Sequence, residues 1–308
     1  MIVVLAGGVG AARFLQGLVQ IVNPKDLYVI VNTADDFEQH GLSISPDLDI
    51  IMYTLSGIVD ETQGWGIKND TINCLEMLKR YKQDTWFKLG DKDLATHIYR
   101  TQLLKSGLTL SEITKILCLN LGVKVNLIPM TDQKVATKIK IPTGTIHFEE
   151  FMIKRKAQDK VLEIIYEGAE DAKPTDGILD IIKDAEGILI GPSNPLVSIN
   201  TILSIKQIRK ALKQANKPIV GISPIIGNKP VKGPLDTLMK GLGMEVSCVG
   251  VAKFYKNLIK TFIIDEIDRD RKNQIEELGI KVLVTNTLMK NLEIKKNLAQ
   301  ITLDAMNN

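Results

Sequence analysis

Six short runs of apolar, mostly β-branched residues each end in turn-forming residues: Ile2 to Ala6, Leu27 to Val31, Gly187 to Ile190, Ile219 to Ile222, Phe262 to Ile264 and Val282 to Val284. Unbroken apolar runs of this length belong to strands buried on both faces, the usual condition of a parallel sheet. Between them, Ala12 to Val22, Ile199 to Ala215 and Pro234 to Leu242 repeat apolar residues at helical spacing. This alternation predicts an α/β fold: a doubly wound, mostly parallel Rossmann-like sheet.

The middle of the chain reads differently. Residues 70–81, 93–105 and 111–121 form consecutive helical patterns, the first with Ile72, Leu75 and Leu78 three apart. Ile146 to Ile153 and Val161 to Tyr166, separated by a charged turn, read as a β-hairpin. The expected division is therefore a nucleotide-binding core of residues 1–57 and 176–308, and a smaller inserted α+β unit of residues 58–175 that binds substrate. The cleft between them is the natural ligand site.

Composition excludes several classes. With 39 basic and 36 acidic residues among 308, the net charge of +3 gives no reason to expect a nucleic-acid partner. No window approaches the roughly 18 consecutive apolar residues of a membrane span, and Ile2 to Ala6 is too short for a signal-peptide core. Cys74, Cys118 and Cys248 are far apart, so no C-x-x-C motif exists and a cytoplasmic protein is expected.

The chemistry-bearing residues follow the strands. Behind the first run lies Gly7-Gly8-Val9-Gly10, a strand-to-helix turn whose amides suit a phosphate, with Arg13 one helical turn later as a bidentate contact. It fits neither G-x-G-x-x-G nor a Walker loop. The second run leads into Asn32-Thr33-Ala34-Asp35-Asp36, and Ser45-Pro46-Asp47-Leu48-Asp49 lies close behind. Caps and Asx turns also use such residues, yet this density of oxygen ligands suits a hard cation such as Mg2+ held against phosphate. If residues 45–49 open a helix, Asp47 becomes its cap and Asp49 faces the site. Gly191 to Pro195, with Ser193 and Asn194, and Ser223 to Gly227 are two further loops on the same edge. In the insert, Lys88 could reach across the cleft, while His97 reads as a packing residue. Trp65 and Trp86 are candidate aromatic walls.

Eight ordered motifs, Gly7 to Arg13, Asn32 to Asp36, Gly41-Leu42 with Ser45 to Asp49, Gly64 to Gly66, Lys88 to His97, Pro129 to Asp132, Gly191 to Pro195 and Ser223 to Gly227, closely resemble the 2-phospho-L-lactate transferase family of coenzyme F420 biosynthesis. The resemblance implies transfer of a phospholactyl group from lactyl-2-diphospho-5′-guanosine to the deazaflavin 7,8-didemethyl-8-hydroxy-5-deazariboflavin (Fo), giving coenzyme F420-0 and GMP. It also implies a magnesium-dependent cytoplasmic homodimer. Asp49 and Lys88 match the Fo-contacting positions. Gly7, Gly8, Gly10, Arg13, Asn32, Ser193, Asn194 and Gly227 are then the nucleotide contacts, and Asp35 and Asp49 the metal ligands. Asp49 is also the catalytic residue. A family of non-catalytic, nucleotide-sugar-binding regulators of the gluconeogenesis factor type resembles only the sheet core. Those proteins generally lack the second aspartate of Asp47-Leu48-Asp49.

Overall fold

The computed structural model describes residues 1–307. Seven parallel strands form the central sheet, in the order Asn126–Pro129, Leu27–Val31, Ile2–Ala6, Gly187–Ile190, Ile219–Ile222, Thr261–Asp265, Lys281–Thr285. The α/β fold expected from the alternation is present, and all six predicted runs are strands of this sheet. Side chains alternate across it as the two-residue period demands. Val3 and Leu5 enter the core on one face, while Ile2, Val4 and Ala6 enter the other beneath three helices: α1 (Gly8–Leu18), α2 (Pro46–Leu55) and the C-terminal helix Leu292–Asp304. Each fully buried aliphatic side chain contributes about 1.5–3 kcal/mol.

From the Ile2–Ala6 strand the chain builds outward in one direction through Leu27–Val31. It later restarts on the other side at Gly187–Ile190. Strand order thus reverses between Ile2–Ala6 and Gly187–Ile190, and the crevice beyond their carboxyl ends is where open α/β sheets bind ligands.

The segment 58–175 departs from the expected separate unit, because Asn126–Pro129 pairs with Leu27–Val31 as the sheet's outer strand. What leaves the sheet is two excursions. Residues 58–125 carry the helices Asn73–Arg80, Asp91–Lys105 and Leu110–Asn120, and residues 130–175 carry a three-stranded antiparallel sheet. The expected hairpin is replaced there. Ala136–Ile141 is the central strand, flanked by Gly144–His147 and Glu163–Glu167, which do not pair with each other. Thr137, Ile139 and Ile141 point inward while Lys138 and Lys140 do not, a period-2 signal the apolar count passed over. Beyond His147 the chain winds into a wide helical turn, Glu150–Lys154, because Phe148 and Phe151 are buried three residues apart. Likewise the helix expected over 199–215 is two, Asn200–Ser204 and Lys206–Gln214, broken where Ile205 adopts φ −69° and ψ 103°.

Candidate functional site

The glycine turn sits at the strand-order reversal, and close packing explains its composition. A Cβ on Gly10 would lie 2.2 Å from the Pro192 carbonyl oxygen; on Gly7 it would meet Asp47 Oδ2 at 2.5 Å and Ser198 Cβ at 2.7 Å. Only hydrogen fits, so the two loops at the reversal interlock. Ser193 completes the closure, its Oγ accepting from Gly7 N–H (3.1 Å) and donating to the Gly7 carbonyl (2.8 Å). Gly8, at φ +70°, donates its N–H to Asp47 Oδ1 at 2.8 Å. The N-cap residue of α1, Gly7, has no side chain to offer, and the Asp47 carboxylate takes the first helical N–H in its place.

Asp47 belongs to a buried acidic cluster. Asn32 Nδ2 donates to Asp35 Oδ2 and to Asp47 Oδ2, each at 2.9 Å, and Asn32 Oδ1 accepts from Ala34 N–H in an Asx turn. Asp36 accepts from Ser45 Oγ at 2.7 Å. Glu149, from the 130–175 excursion, faces the same cluster and is 3% exposed. Asp36 Oδ1 and Glu149 Oε2 are buried without a hydrogen-bond partner. Burial, then the charges of Asp47 and Glu149, push Asp35 well above the carboxylate range. Burial raises Asp47 to about 6, and burial with Asp47 and Asp36 raises Glu149 to about 8. Four carboxylates that repel one another in low dielectric fit a hard cation, which would replace the repulsion with attraction. Among the described residues no three His, Cys, Asp or Glu side chains form a ready-made cage. Magnesium commonly takes one or two carboxylates and completes its shell from substrate phosphate and water.

Asp49 is placed elsewhere. Ser45 rather than Asp47 is the residue that caps α2, so Asp47 and Asp49 both lie in its first turn. At 100° per residue they diverge around the helix. Asp47 turns to the glycine loop, and Asp49 turns to the helix Asp91–Lys105. There Arg100, 1% exposed, grips Asp49 through both guanidinium Nη atoms, one contact very short and the other 3.1 Å. Arg100 Nη1 also lies 3.2 Å from His97 Nδ1. Because guanidinium only donates, His97 accepts there, and its Nε2–H lies 3.2 Å from Asp93 Oδ1. Tyr53 donates to the same Asp93 oxygen at 2.7 Å. Burial opposes the Asp93 charge, but His97 and Tyr53 hold its carboxyl below the ordinary range.

Asp93 links this network to Lys88. It lines a cavity of about 210 Å³ together with Lys88, Trp65, Asp60, Asn69 and Thr71. The Lys88 ammonium stands 5.8 Å from the centre of the Trp65 ring, a cation–π contact. Trp86 is stacked on Phe37 instead, 5.6 Å between ring centres, beside Phe87 and His147.

The structure thus gathers Gly7, Gly8, Asn32, Asp35, Asp47 and Ser193 at one place; Asp49 is held by Arg100, and Lys88 lines a cavity that includes Asp93 but not Asp49. Asn194 caps the turn that follows it, accepting from Leu196 and Val197 N–H. Gly227 donates its N–H to Asp268. Arg13 lines a separate cavity with Gln16 and Lys295. Two residues escaped sequence reasoning. Arg100 shares a helix face with Asp93 and His97 at i, i+4 and i+7, a polar stripe legible in the sequence. Glu149 stands between Phe148 and Phe151, an acid inside a buried apolar turn.

The description of 2-phospho-L-lactate transferase CofD fits residues 2–299 at the level of a family model. The chain belongs to that family. A phosphoenolpyruvate transferase of Streptomyces griseus subsp. griseus is 41% identical over 98% of this chain and 97% of its own length. A 2-phospho-L-lactate transferase of Methanocaldococcus jannaschii is 41% identical over 97% and 96%, and that of Methanosarcina mazei is 39% identical over 98% and 99%. A solved UPF0052 family protein of Bacillus halodurans superposes with a TM-score of 0.63 over 98% of both chains at 16% identity, and so shares the fold. Within the CofD family the glycine turn and both acidic regions gain a common setting, since each lies at the reversal edge or beside it.

Proposed function

We propose that this chain transfers the 2-phospho-L-lactyl group from lactyl-2-diphospho-5′-guanosine to the ribityl hydroxyl of Fo, giving coenzyme F420-0 and GMP. The observation that carries the reading is the buried acidic cluster at the strand-order reversal, with Asp36 Oδ1 and Glu149 Oε2 lacking any hydrogen-bond partner, in a chain of the CofD family across nearly its whole length. Family membership favours the transferase over the nucleotide-sugar-binding regulator. The donor lies along the edge formed by Gly7, Gly8, Gly10, Asn32, Ser193, Asn194 and Gly227, without Arg13, which lines a separate cavity. Asp35 and Asp47 hold Mg2+, with Asp36 and Glu149 nearby, which moves the second metal ligand from the expected Asp49 to Asp47. Bound there, Mg2+ supplies charge neutralisation at the diphosphate.

Asp49 and Lys88 take the acceptor. Arg100 occupies one side of the Asp49 carboxylate, and a carboxylate has about four lone-pair sites, so Asp49 can still accept from the Fo hydroxyl while its orientation is fixed. The hydroxyl oxygen bonds to the lactate-bearing phosphorus, the bond from that phosphorus to the GMP oxygen breaks, and GMP leaves with the electron pair. The hydroxyl proton passes to Asp49. Positioning and fixed charge do most of such work in phosphoryl transfer.

The 41% identity to phosphoenolpyruvate transferases of two Streptomyces species raises one alternative, a donor carrying enolpyruvate. The test is product mass after incubating protein, Fo and Mg2+ with each donor separately. Coenzyme F420-0 from the lactyl donor, abolished in Asp49→Asn, is the expected result; the dehydro product alone would assign the other donor. Nucleotide-sugar binding without turnover of either donor would return the protein to the regulator reading. The working form is a cytoplasmic homodimer, checked by light scattering. Among the described residues no helix is long and apolar enough to cross a membrane.

A further inference from the structure

On the outer side of α1 the chain assembles a cationic cavity that the proposed reaction does not account for. The C-terminal helix approaches α1 at Gly17, where a Cβ would come within 2.4 Å of the Lys295 carbonyl carbon and oxygen. That approach delivers the Lys295 side chain between the two helices, 8% exposed. Its ammonium donates to an amide oxygen, Gln16 Oε1, and forms no ion pair. Arg13 stands one turn earlier on α1, and Lys290 enters from the loop before the C-terminal helix.

Lys232 arrives from across the Gly64 turn, donating to the Gln63 carbonyl at 2.8 Å. The point that a Gly64 Cβ would occupy lies 3.1 Å from Lys232 Nζ and 3.2 Å from an Arg13 Nη. At φ +75° this position also disfavours any side chain. Space between two cations is thereby kept open. The cavity measures about 110 Å³. Among the described residues no carboxylate oxygen lies within 4 Å of the charged nitrogens of Arg13, Lys232, Lys290 or Lys295. The one acid in the lining, Glu61, is engaged by Gln16 Nε2 at 3.0 Å.

An ammonium removed from water without a counter-ion is costly, and like charges beside it add to the cost. Burial and the nearby Arg13 both press Lys232 below the ordinary lysine range; they do the same to Lys295, against the pull of Glu61. A doubly charged tetrahedral oxyanion offsets both costs and matches the planar fork of arginine. The cavity adjoins the glycine turn at Val9, but none of Asp35, Asp36, Asp47 and Glu149 lines it. Thr54, in its wall, lies seven residues along α2 from Asp47, roughly 10 Å at 1.5 Å per residue.

We propose that this cavity, lined by Arg13, Lys290 and Lys295 with Lys232 beside Gly64 at its edge, is a second anion site that binds a phosphate group, either as free inorganic phosphate or as the phosphate of a nucleoside monophosphate. The inference stands whether or not the chain is a transferase.

The test is calorimetric titration of the full chain with inorganic phosphate and, separately, with GMP. Wild type is compared with Lys295→Met, which keeps the apolar stem, and with Lys232→Met at the exposed rim. Saturable phosphate binding, weakened about tenfold or more by Lys295→Met, is expected for the loss of a charge-assisted contact. If Lys295→Met does not fold, Lys232→Met carries the test with a loss of about threefold or more, as suits a half-solvated contact. GMP that displaces phosphate, with both ligands weakened in parallel by the variants, assigns the site to a nucleotide phosphate. Phosphate binding that GMP leaves untouched assigns it to the free ion. No saturable binding by wild type, or equal affinity in wild type and both variants, overturns the proposal.

Discussion

Asp47 and Asp49 are two residues apart on one helix turn, yet they face opposite electrostatic worlds. Around Asp49 each carboxylate has a donor facing it: Arg100 for Asp49, and Tyr53 and His97 for Asp93. Around Asp47 the charges are alike, with Asp35, Asp36 and Glu149 sharing one donor amide and one serine. The carboxylates of the first region are supplied with donors by the chain itself, although Arg100 Nε beside them lacks a hydrogen-bond acceptor. The second is complete only with something added. Burial alone therefore does not mark a ligand site; burial with unmatched charge does.

The largest expected effect tests the matched side. Arg100→Met leaves Asp49 buried without its partner and should destabilise the fold by about 3–5 kcal/mol, measured by urea unfolding. A change below about 1 kcal/mol would mean that Asp49 is already satisfied by other groups. The unmatched side should respond with the opposite sign. In metal-free protein Glu149 keeps its proton up to about pH 8, whereas the unfolded chain releases it near the ordinary glutamate value of 4.5. The folded state holds the extra proton in that window, so stability falls as pH rises through it, by a few kcal/mol in all. Glu149→Gln should flatten that slope in a pH series of unfolding midpoints.

Magnesium sharpens the contrast. At a hundredfold excess over its Kd it should stabilise the wild type by about 2.7 kcal/mol, read as a rise in Tm. Asp35→Asn should abolish the rise, and Arg100→Lys should retain it. The smallest effect concerns Asp91, which accepts from Thr71 Oγ1, Asn73 and Cys74 N–H and so caps the helix Asn73–Arg80 from outside. Those bonds hold its carboxyl down at about 2. Its contribution is present above pH 4 and lost as pH falls towards 2, so Asp91→Asn should remove a shallow acid limb and raise hydrogen exchange over residues 70–80.

Sequence patterning conveyed the sheet because each strand is an unbroken apolar run and both faces are covered. It misread 146–166 because a strand with one solvated face shows alternation, not apolar density, and Lys138 and Lys140 hide it. At the site, residue types were legible but directions were not. Whether Asp47 or Asp49 meets Asp35 depends on which residue stands at the N-cap of α2, and with Ser45 there it is Asp47. The partner that decides their roles, Arg100, lies about fifty residues downstream. Glu149 comes from another excursion altogether.

The reversal of strand order has a consequence for synthesis. The Ile2–Ala6 strand can pair early with Leu27–Val31, but its other neighbour, Gly187–Ile190, leaves the ribosome about 180 residues later. At roughly 5–20 residues per second that interval is on the order of 10–40 s. For that time an apolar strand carries one open edge, the kind of surface on which nascent chains aggregate. The ligand crevice forms only when Gly191 and Pro192 close over the glycine turn that was made first.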